Sequence, residues 1–447
     1  MCSHMRSYEA LISRLTMTVN NDISEEIYNR PRILISAYAC EPNKGSEQGV
    51  GWSWALQLSR FASVTVITRA NNEGLIGREL KKIAEKNINF VYYDPPKIIT
   101  FLKKTGFVGF YVFYIYWQFG CYLVAKRLHV RKNFSHVMHL TFGNIWLPIF
   151  IHRLPCEFIL GPVGGGEGIP DNLISSVGFK ARAIQKFRKF LIATININPV
   201  VVGPVKRAKT ILVRTQDTLS LIPEKFRSKT FCVLETGVDD KTLRKFDKGN
   251  TGSPTGKVRL LTTGRLVGFK NIEMLLHALQ KANSVGAEVE LRVIGEGPEK
   301  KRLMALSSAL AIEHLVTFVG SITHSDVIEE LKNADIFTFP SLREAGTWSL
   351  VEAMCASLPI VCVKTSGMAV ITNADCAIAI NPKCRKHIID GFAQAIYELS
   401  VDVELRRELG KNARDRVEKI FHWDKQGERV NNIIFNFNNH FKNTREN

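Results

Sequence analysis

The feature that most constrains the fold of this chain is an alternation of strand-like and helix-like segments that runs through the sequence twice. The first series opens with RILISAYAC (32–40), a short β-rich run, followed by a glycine-containing loop and by WSWALQLSRF at helical period. The second series begins near Lys257 with VRLLTTGRL, followed by a helix through NIEMLLHALQKA. Such alternation builds parallel sheets with helices on both faces. The sequence therefore predicts two doubly wound, Rossmann-like α/β domains.

Chain length agrees with this division. At 447 residues the protein exceeds the size at which a single hydrophobic core stops growing. The boundary is expected between Val238 and Gly256, where the sequence contains the turn-rich stretch GNTGSPTG. The predicted ranges are a polar leader (1–30), an N-terminal domain (31–237), a C-terminal domain (238–415) and a C-terminal helix that packs back on the N-terminal domain (416–447).

Cysteine usage and the N-terminal residues bear on the cellular compartment. The nine cysteines are scattered, odd in number and never spaced as C-x-x-C, which argues against a zinc site or a disulfide framework. The first 30 residues are polar and lack the apolar core of a signal peptide. We therefore expect reduced thiols and a cytoplasmic location.

The chain is strongly basic, with a net charge of +18. A surface of this kind attracts anionic partners such as nucleic acid, lipid headgroups or a phosphorylated substrate, and charge alone does not choose among them. The basic residues are spread along the whole chain, without a compact basic arm. A catalytically inactive scaffold that binds nucleic acid or a membrane is therefore the less favoured hypothesis, and no nucleic-acid partner is expected.

One apolar segment departs from the α/β pattern. TGFVGFYVFYIYWQFGCYLVA (105–125) contains no charged residue and is flanked by Lys103, Lys104, Lys126 and Arg127. Its length permits a membrane span of roughly 20 residues, but a single span would lie isolated inside a soluble domain. A buried or cleft-lining helix and a segment lying in a membrane interface are equally favoured, since aromatic residues with basic flanks suit the interface.

Two glycine-containing turns follow strands of the second series. In TTGRLVGFKN, Gly264 and Arg265 end a strand and Lys270 lies near the start of a helix. Two cations beside helix-terminal amides suit a diphosphate, because fixed donors and positive charge meet its anionic oxygens. Either cation alone is more typical of a solvated loop. RVIGEGPEKK places Gly295 and Gly297 in a second turn, which by itself is a weak signal.

The stretch SLREAGTWSLVEAM (341–354) places Glu344 and Glu352 eight positions apart. It follows the strand-like ADIFTFP and precedes LPIVCV, so we expect it at the carboxyl edge of the sheet, where open α/β folds bind ligands. Glu344 is predicted in the loop and Glu352 within a helix of about two to three turns. Carboxylates accept hydrogen bonds from sugar or ribose hydroxyls, and Gly346 lets a ligand approach the backbone closely.

Together these segments resemble the donor-binding domain of a family-4 glycosyltransferase with GT-B architecture, in which two Rossmann-like domains face each other across a cleft. The resemblance lies in the order GRLVGFKN, VIGEGP, VTFVG, ADIFTFPS, E-x7-E leading into EAM, and LPIV, and it covers Lys257 to Asn381. Each piece is weak alone, but the order and spacing are specific. In the first half, ISAYACEPNKGSEQGVGWSWALQL, HLTFG and GPVGGGE are similar, more loosely, to the acceptor domain of one bacterial branch.

The resemblance implies a donor site for a nucleotide-sugar. Arg265 and Lys270 would hold the diphosphate, Glu344 would bind hydroxyls of the transferred sugar, and Glu352 would bind the ribose. The other implied donor-side positions are Gly49, Gly51, Gly264, Gly295, Gly346 and Thr347, with Phe318, Val319 and Gly320 near the base. The family transfers sugars with retention of configuration, usually without a metal, so no metal and no cofactor are expected. Arg265, Lys270, Glu344 and His139 are the implied catalytic residues.

On the acceptor side, the resemblance implies that His139, at the end of a strand, lies near the transferred sugar. Glu167 in the glycine-rich GPVGGGEG is assigned toward the acceptor. The expected acceptor is a glycan or a lipid-linked molecule in cell-surface polysaccharide synthesis, with peripheral attachment to the anionic inner face of the plasma membrane. A dinucleotide oxidoreductase is disfavoured, because no G-x-G-x-x-G opens the first helix.

Four positions depart from the family pattern. Gly346 and Thr347 stand where many relatives have phenylalanine and glycine, and a β-branched Thr347 tolerates a positive φ poorly. Asn271 stands where a glycine often follows the lysine, and LETGVDD lacks the asparagine common before GVD. The backbone near Thr347 is therefore expected to differ from that of the relatives, and with it the choice of sugar.

Overall fold

The computed structural model describes residues 30–83, 87–176, 179–247 and 256–436. Most of the predicted leader (1–29), residues 248–255 of the predicted boundary and the end of the tail (437–447) lie outside the described residues.

The N-terminal domain is built on one parallel sheet of seven strands. The strands are β1 (Arg32–Ser36), β2 (Ser63–Thr68), β3 (Ile88–Tyr92), β4 (His136–His139), β5 (Glu157–Val163), β6 (Ala208–Val213) and β7 (Thr230–Cys232). Their order in the sheet is β3-β2-β1-β4-β5-β6-β7. The chain thus begins in the middle and winds outward in both directions, and the carboxyl ends of β1 and β4 lie side by side at the switch point.

Helices connect these strands. They are α1 (Ser46–Ser59), α2 (Glu73–Leu80), α3 (Lys97–Leu102), α4 (Phe107–Lys132), α5 (Phe179–Ala193), α6 (Pro199–Arg207) and α7 (Gln216–Leu221), and α8 (Asp240–Arg244) follows β7. The strands between them are apolar on both faces, as expected for a sheet covered on both sides.

The C-terminal domain repeats the design with six parallel strands. They are β8 (Val258–Thr263), β9 (Val289–Ile294), β10 (Val316–Gly320), β11 (Ile336–Phe339), β12 (Ile360–Val363) and β13 (Ala377–Ile380), in the order β10-β9-β8-β11-β12-β13. The helices are α9 (Ile272–Ser284), α10 (Lys300–Ala309), α11 (His324–Lys332), α12 (Trp348–Cys355), α13 (Ser366–Ile371), α14 (Arg385–Val401), α15 (Val403–Arg416) and α16 (Trp423–Asn431). The predicted pair of doubly wound sheets is confirmed.

Helix α16 lies against the N-terminal domain. Trp423 at the start of α16 makes an edge-to-face contact with Trp54 of α1, with ring centroids 5.5 Å apart. Asp424 accepts a hydrogen bond from Arg60 at 2.8 Å. The backbone of Val238 pairs with that of Phe421 and Trp423, so the chain passes between the domains twice at one place.

Helix α4 contains the apolar segment, and its two faces differ. Phe113, Tyr114 and Trp117 are fully buried against the sheet, whereas Ile115 and Phe119 are exposed. Residues Val108–Lys132 are long and apolar enough to cross a membrane by length and composition, a test that core helices of soluble proteins also pass. The helix is therefore buried on one face only, and a spanning position would remove that face from the core of the N-terminal domain.

Candidate functional site

Three adjacent strands of the C-terminal sheet end in glycines with positive φ. Gly264, Gly295 and Gly320 follow or end β8, β9 and β10, with φ of 144°, 131° and 87°. The Gly264 amide donates to Ile294 and the Gly295 amide to Gly320. A Cβ at Gly295 would lie 2.0 Å from the Gly264 carbonyl oxygen, so a side chain is excluded there. Gly264, Gly295 and Gly320 thus form an edge of backbone without side chains, which we call the glycine edge. A ligand can approach the backbone closely there.

The turn after β8 directs Lys270 toward this edge. Gly268–Lys270 form a single 3₁₀ turn, which ends at Asn271 in the left-handed conformation with φ 59°. The Asn271 side-chain amide donates to the Pro340 carbonyl oxygen, which ties the turn to the end of β11. Asparagine tolerates the left-handed region better than other non-glycine residues. Asn271, which stands where the resemblance often has glycine, therefore accommodates the left-handed conformation.

Lys270 and Glu344 form the center of the site. The Lys270 Nζ lies 2.5 Å from Glu344 Oε1, and both side chains are largely buried. The same Nζ lies 4.9 Å from the center of the Phe339 ring, and the Ser341 hydroxyl donates to Glu344 at 3.0 Å. The ion pair, the ring and the hydroxyl hold both charged groups in fixed orientations at the carboxyl edge of the sheet.

Arg265 differs from Lys270 in its surroundings. It is exposed and makes no ion pair with any residue that the structure describes. It lines a small pocket together with Thr263, Gly264 and Lys270. A guanidinium in this position is available to an anion in the pocket, because no carboxylate among the described residues pairs with it.

Glu352 lies one turn inside α12, as predicted, and Glu344 lies in the preceding loop. Glu352 Oε1 is 2.7 Å from His324 Nε2, and His324 is the first residue of α11 after β10. The hydrogen bond that His324 donates to Glu352 raises the pKa of His324, against the opposing effect of partial burial. Glu352 is thus directed toward the end of β10, where Phe318 and Val319 are half-buried.

The loop between the two glutamates faces the N-terminal domain. A Cβ at Gly346 would lie 3.1 Å from Thr236 Oγ1 and 3.5 Å from Glu235 Oε1. Thr347 has a φ of −130° and precedes α12 in an extended conformation. The β-branched side chain is therefore accommodated without a positive φ, and its buried hydroxyl has no hydrogen-bond partner among the residues that the structure describes.

The N-terminal domain presents glycines and a histidine to the same region. A Cβ at Gly49 would lie 1.9 Å from the Lys44 carbonyl oxygen and 3.9 Å from the Trp348 ring of the other domain. A Cβ at Gly51 would lie 2.0 Å from the Ala39 carbonyl oxygen. His139 is the last residue of β4 and is fully buried. Burial lowers the pKa of His139 to about 4, so the imidazole is neutral at physiological pH.

A buried ion network lies beside His139. Arg214 Nη2 is 3.1 Å from Glu47 Oε1 and 2.7 Å from Glu235 Oε2. Glu47 also accepts from the Phe142 amide, which is held at a φ of 53° that a bulky residue rarely adopts. Glu235 belongs to the segment that leads into the C-terminal domain. One guanidinium thus joins the first helix, a strand end and the interdomain segment.

Glu167 lies next to this network. Its carboxylate accepts hydrogen bonds from the Gly165 amide and from the hydroxyls of Thr215 and Thr218. Burial alone would raise the pKa of Glu167, but these hydrogen bonds outweigh it and lower the pKa. In this arrangement Glu167 stabilises the glycine-rich loop, and its oxygens are already engaged by protein donors.

The two domains are also connected on the far side of the loop that contains Glu344. Ser366, at a φ of 44°, donates its hydroxyl hydrogen to Asp217 of the N-terminal domain at 2.6 Å. The next amide, that of Gly367, donates to the Glu344 carbonyl oxygen. A Cβ at Gly367 would lie 2.3 Å from the Ala345 carbonyl oxygen. The position of Glu344 therefore depends on a contact between domains.

Burial raises the pKa of Glu235 to about 8, although Arg214 opposes the shift. An acid with a raised pKa in the folded state contributes stability below its unfolded pKa and loses it as the pH rises through the folded value. We expect the free energy of unfolding to fall between about pH 5 and pH 8, by up to about 1.4 kcal/mol per pH unit from this group. Glu235→Gln should reduce the pH dependence of the free energy of unfolding over this range, as measured by urea unfolding.

Glu408→Gln is the matched control, because Glu408 is exposed on α15. This variant should retain the pH dependence of the free energy of unfolding. An unchanged profile in the Glu235→Gln variant would show that the carboxyl group is ionised in the folded protein throughout this range.

Comparison with known proteins is informative about the second half of the chain. Residues 244–416 match the family model described as glycosyl transferases group 1. This region of the chain is similar to the group 1 glycosyltransferase family. The matched region contains Arg265, Lys270, Glu344 and Glu352, whereas His139 lies outside it.

A curated protein similar to this chain is the GDP-mannose-dependent monoacylated alpha-(1-6)-phosphatidylinositol monomannoside mannosyltransferase of Corynebacterium glutamicum. It is 24% identical over 235 residues, which are 49% of this chain and 60% of the relative. The chain spans about half the length of the curated relatives it matches.

Two solved structures show the same fold. The apo form of the lipopolysaccharide outer core galactosyltransferase WaaB has a TM-score of 0.60 and 14% identity, covering 91% of this chain and 99% of that chain. HepE of Anabaena, in complex with UDP and glucose, has a TM-score of 0.55 and 14% identity, covering 90% and 98%. The likeness extends over both domains, so the GT-B architecture is shown.

Proposed function

We propose that this protein is a retaining glycosyltransferase that moves a sugar from a nucleotide-sugar to a glycan or lipid-linked acceptor in cell-surface polysaccharide synthesis. The observation that carries the proposal is the meeting of Lys270 and Glu344 beside the glycine edge of the C-terminal domain. A cation and a carboxylate at one strand edge suit a ligand that joins a diphosphate to a sugar.

The donor is divided among the described residues as follows. Arg265 and Lys270 bind the diphosphate, and an incoming phosphate oxygen competes with Glu344 for Lys270 Nζ. Glu344, released from this ion pair, accepts hydrogen bonds from hydroxyls of the transferred sugar. Glu352 binds the ribose, and the backbone around Phe318 binds the base. Support for this division comes from the 2.5 Å contact between Lys270 Nζ and Glu344 Oε1 at the glycine edge. The structure of HepE, which holds UDP and glucose, also supports it.

Catalysis under this proposal depends on positioning and charge stabilisation. The two cations stabilise the negative charge that grows on the leaving diphosphate, and the departing phosphate itself helps to deprotonate the acceptor. His139 is neutral, because burial lowers its pKa to about 4, so it serves as a hydrogen-bonding group near the sugar. This scheme requires neither a metal nor a cofactor.

For the acceptor, we favour a lipid-linked molecule at the inner face of the plasma membrane, reached by a cytoplasmic enzyme. The mannosyltransferase of C. glutamicum is named for a phosphatidylinositol acceptor. A protein of net charge +18 is attracted to an anionic lipid surface, where such an acceptor is held.

The proposal is tested by nucleotide binding. We expect UDP, GDP or ADP to raise the melting temperature of the full chain, because a ligand that binds only the folded state stabilises it. Glu352→Ala should weaken binding of that nucleotide by roughly tenfold, since it removes a charged hydrogen-bond acceptor from the ribose. Isothermal titration calorimetry measures the change.

Glu329→Ala is the matched control, because Glu329 lies exposed on the neighbouring α11, where it pairs with Lys332. It should leave nucleotide affinity unchanged. No stabilisation by any of the three nucleotides or their sugars would contradict the proposed function.

A further inference from the structure

Helix α4 presents an exposed apolar face that the proposed reaction does not use. It consists of Val108, Val112, Ile115, Tyr116, Phe119 and Leu123, all of them exposed. With 3.6 residues per turn, these six positions fall within an arc of about 100°. The side chains that enter the core, among them Phe113 and Trp117, lie on the opposite arc.

An exposed helix face in a soluble protein normally carries polar residues, and contiguous apolar patches mark interaction sites. Polar side chains on the buried side of α4 form hydrogen bonds. The Trp117 indole donates to the Tyr93 carbonyl oxygen, and the Gln118 amide donates to the Tyr114 hydroxyl. The exposed face is therefore a separate feature of the helix and not a sign of incomplete packing. The preceding α3 extends it with Ile98 and Phe101, which are 79% and 64% exposed.

The charge around this face identifies its partner. The sequence contains no aspartate or glutamate between Asp94 and Glu157, and this interval includes α3 and α4. Lys104 lies exposed before the helix, and Lys126 and Arg127 are exposed on the side of the apolar face. Apolar and aromatic side chains between cations suit a bilayer surface, where the side chains enter the acyl boundary and the cations meet anionic headgroups.

The position of α4 relates this face to the candidate site. Phe110 and Tyr114, in its N-terminal half, stack near Phe142 with ring centroids 5.7 and 5.2 Å away. Phe142 follows His139 by three residues and donates its amide to Glu47. The N-terminal end of the apolar face therefore adjoins the carboxyl edge of the N-terminal sheet, where the acceptor is expected.

We infer that the exposed apolar face of α4, with its cationic flanks, docks the protein on an anionic lipid bilayer and places the acceptor side of the cleft at the headgroup level. The inference deepens the proposed function, on which the role of the surface rests, by naming the surface that brings a lipid-linked acceptor to the site. The helix lies along the membrane surface, and its buried face remains in the protein core.

The test compares two triple variants of the full chain. Ile115→Gln, Phe119→Gln and Leu123→Gln together remove the center of the face and keep a good helix former at each position. The control combines Met304→Gln, Val403→Gln and Ile420→Gln on the C-terminal domain. All six side chains are between 40% and 47% exposed, so the two variants remove similar apolar surface from water.

Binding to vesicles is measured without donor, by co-sedimentation with phosphatidylcholine alone and with phosphatidylcholine containing phosphatidylglycerol. We expect the unmodified protein and the control to bind the anionic vesicles more tightly, and the α4 variant to bind them at least roughly tenfold more weakly. Unchanged circular dichroism and an unchanged thermal response to nucleotide establish that the α4 variant is folded.

Equal binding of the two variants would overturn the inference, and so would a failure of the unmodified protein to bind either vesicle. Self-association that the α4 variant alone abolishes, measured by light scattering, would assign the face to a second copy and also overturn it. The same measurements distinguish the docking surface from the proposed function. Vesicle binding without any nucleotide response would support the docking surface and reject the donor site. A nucleotide response without vesicle binding would support the donor site and reject the docking surface.

Discussion

Glu344→Gln should reduce sugar transfer by roughly a hundredfold or more, while nucleotide binding is retained. The substitution keeps the size of the side chain but removes the charge that pairs with Lys270 at 2.5 Å and accepts from Ser341. An interaction that is stronger in the transition state than in the ground state lowers the turnover rate when it is lost. The measurement is the steady-state rate of donor hydrolysis or transfer.

Glu330→Gln provides the matched control, because Glu330 forms an equally short pair with Arg292 of β9, away from the glycine edge. Its rate should stay close to that of the unmodified protein. If Glu344→Gln turns over normally, or if both variants lose activity alike, the assignment of Glu344 to the sugar is wrong.

Arg214→Met should lower the free energy of unfolding by about 3 kcal/mol. Arg214 is buried, and its removal leaves Glu47 and Glu235 without the cation that both contact. Protonation of Glu235 relieves part of this cost, since burial raises its pKa to about 8. The loss should therefore be smaller at pH values below that pKa than above it, and urea unfolding measures it.

Arg407→Met is the control, because Arg407 pairs with Glu404 on an exposed helix surface. Exposed pairs contribute at most about 1 kcal/mol, so this variant should remain near the unmodified protein. Similar losses for the two arginine variants would show that the buried network does not stabilise the N-terminal domain.

The network around Arg214 also explains which site residues could not be found in the sequence. Arg214 and Glu47 are 167 positions apart, and neither belongs to a motif with a recognisable spacing. His324 likewise becomes visible only through its contact with Glu352. Sequence patterns locate residues that share one loop or one helix, and these partners share neither.

Local sequence patterns did locate the loop that contains Glu344. Glu344 and Glu352 lie in the predicted loop and helix because a strand, a turn and a short amphipathic helix follow one another within twenty residues of sequence. Thr347 is extended at φ −130°, in agreement with the expectation that its β-branched side chain avoids a positive φ. The expected difference from the backbone of the relatives stays a prediction. Strands β3, β7 and β13 were not predicted, because β3 and β13 are only partly buried and β7 has three residues.

The sequence by itself determined the two doubly wound sheets and the order of the donor-side segments, because apolar periodicity and turn residues act over short distances along the chain. Only the tertiary structure decided which face of α4 is buried, how Arg214 joins Glu47 to Glu235, and how the loop of Glu344 rests on the N-terminal domain. These features depend on contacts between residues far apart in the sequence, and their energies come from burial and charge in the assembled fold.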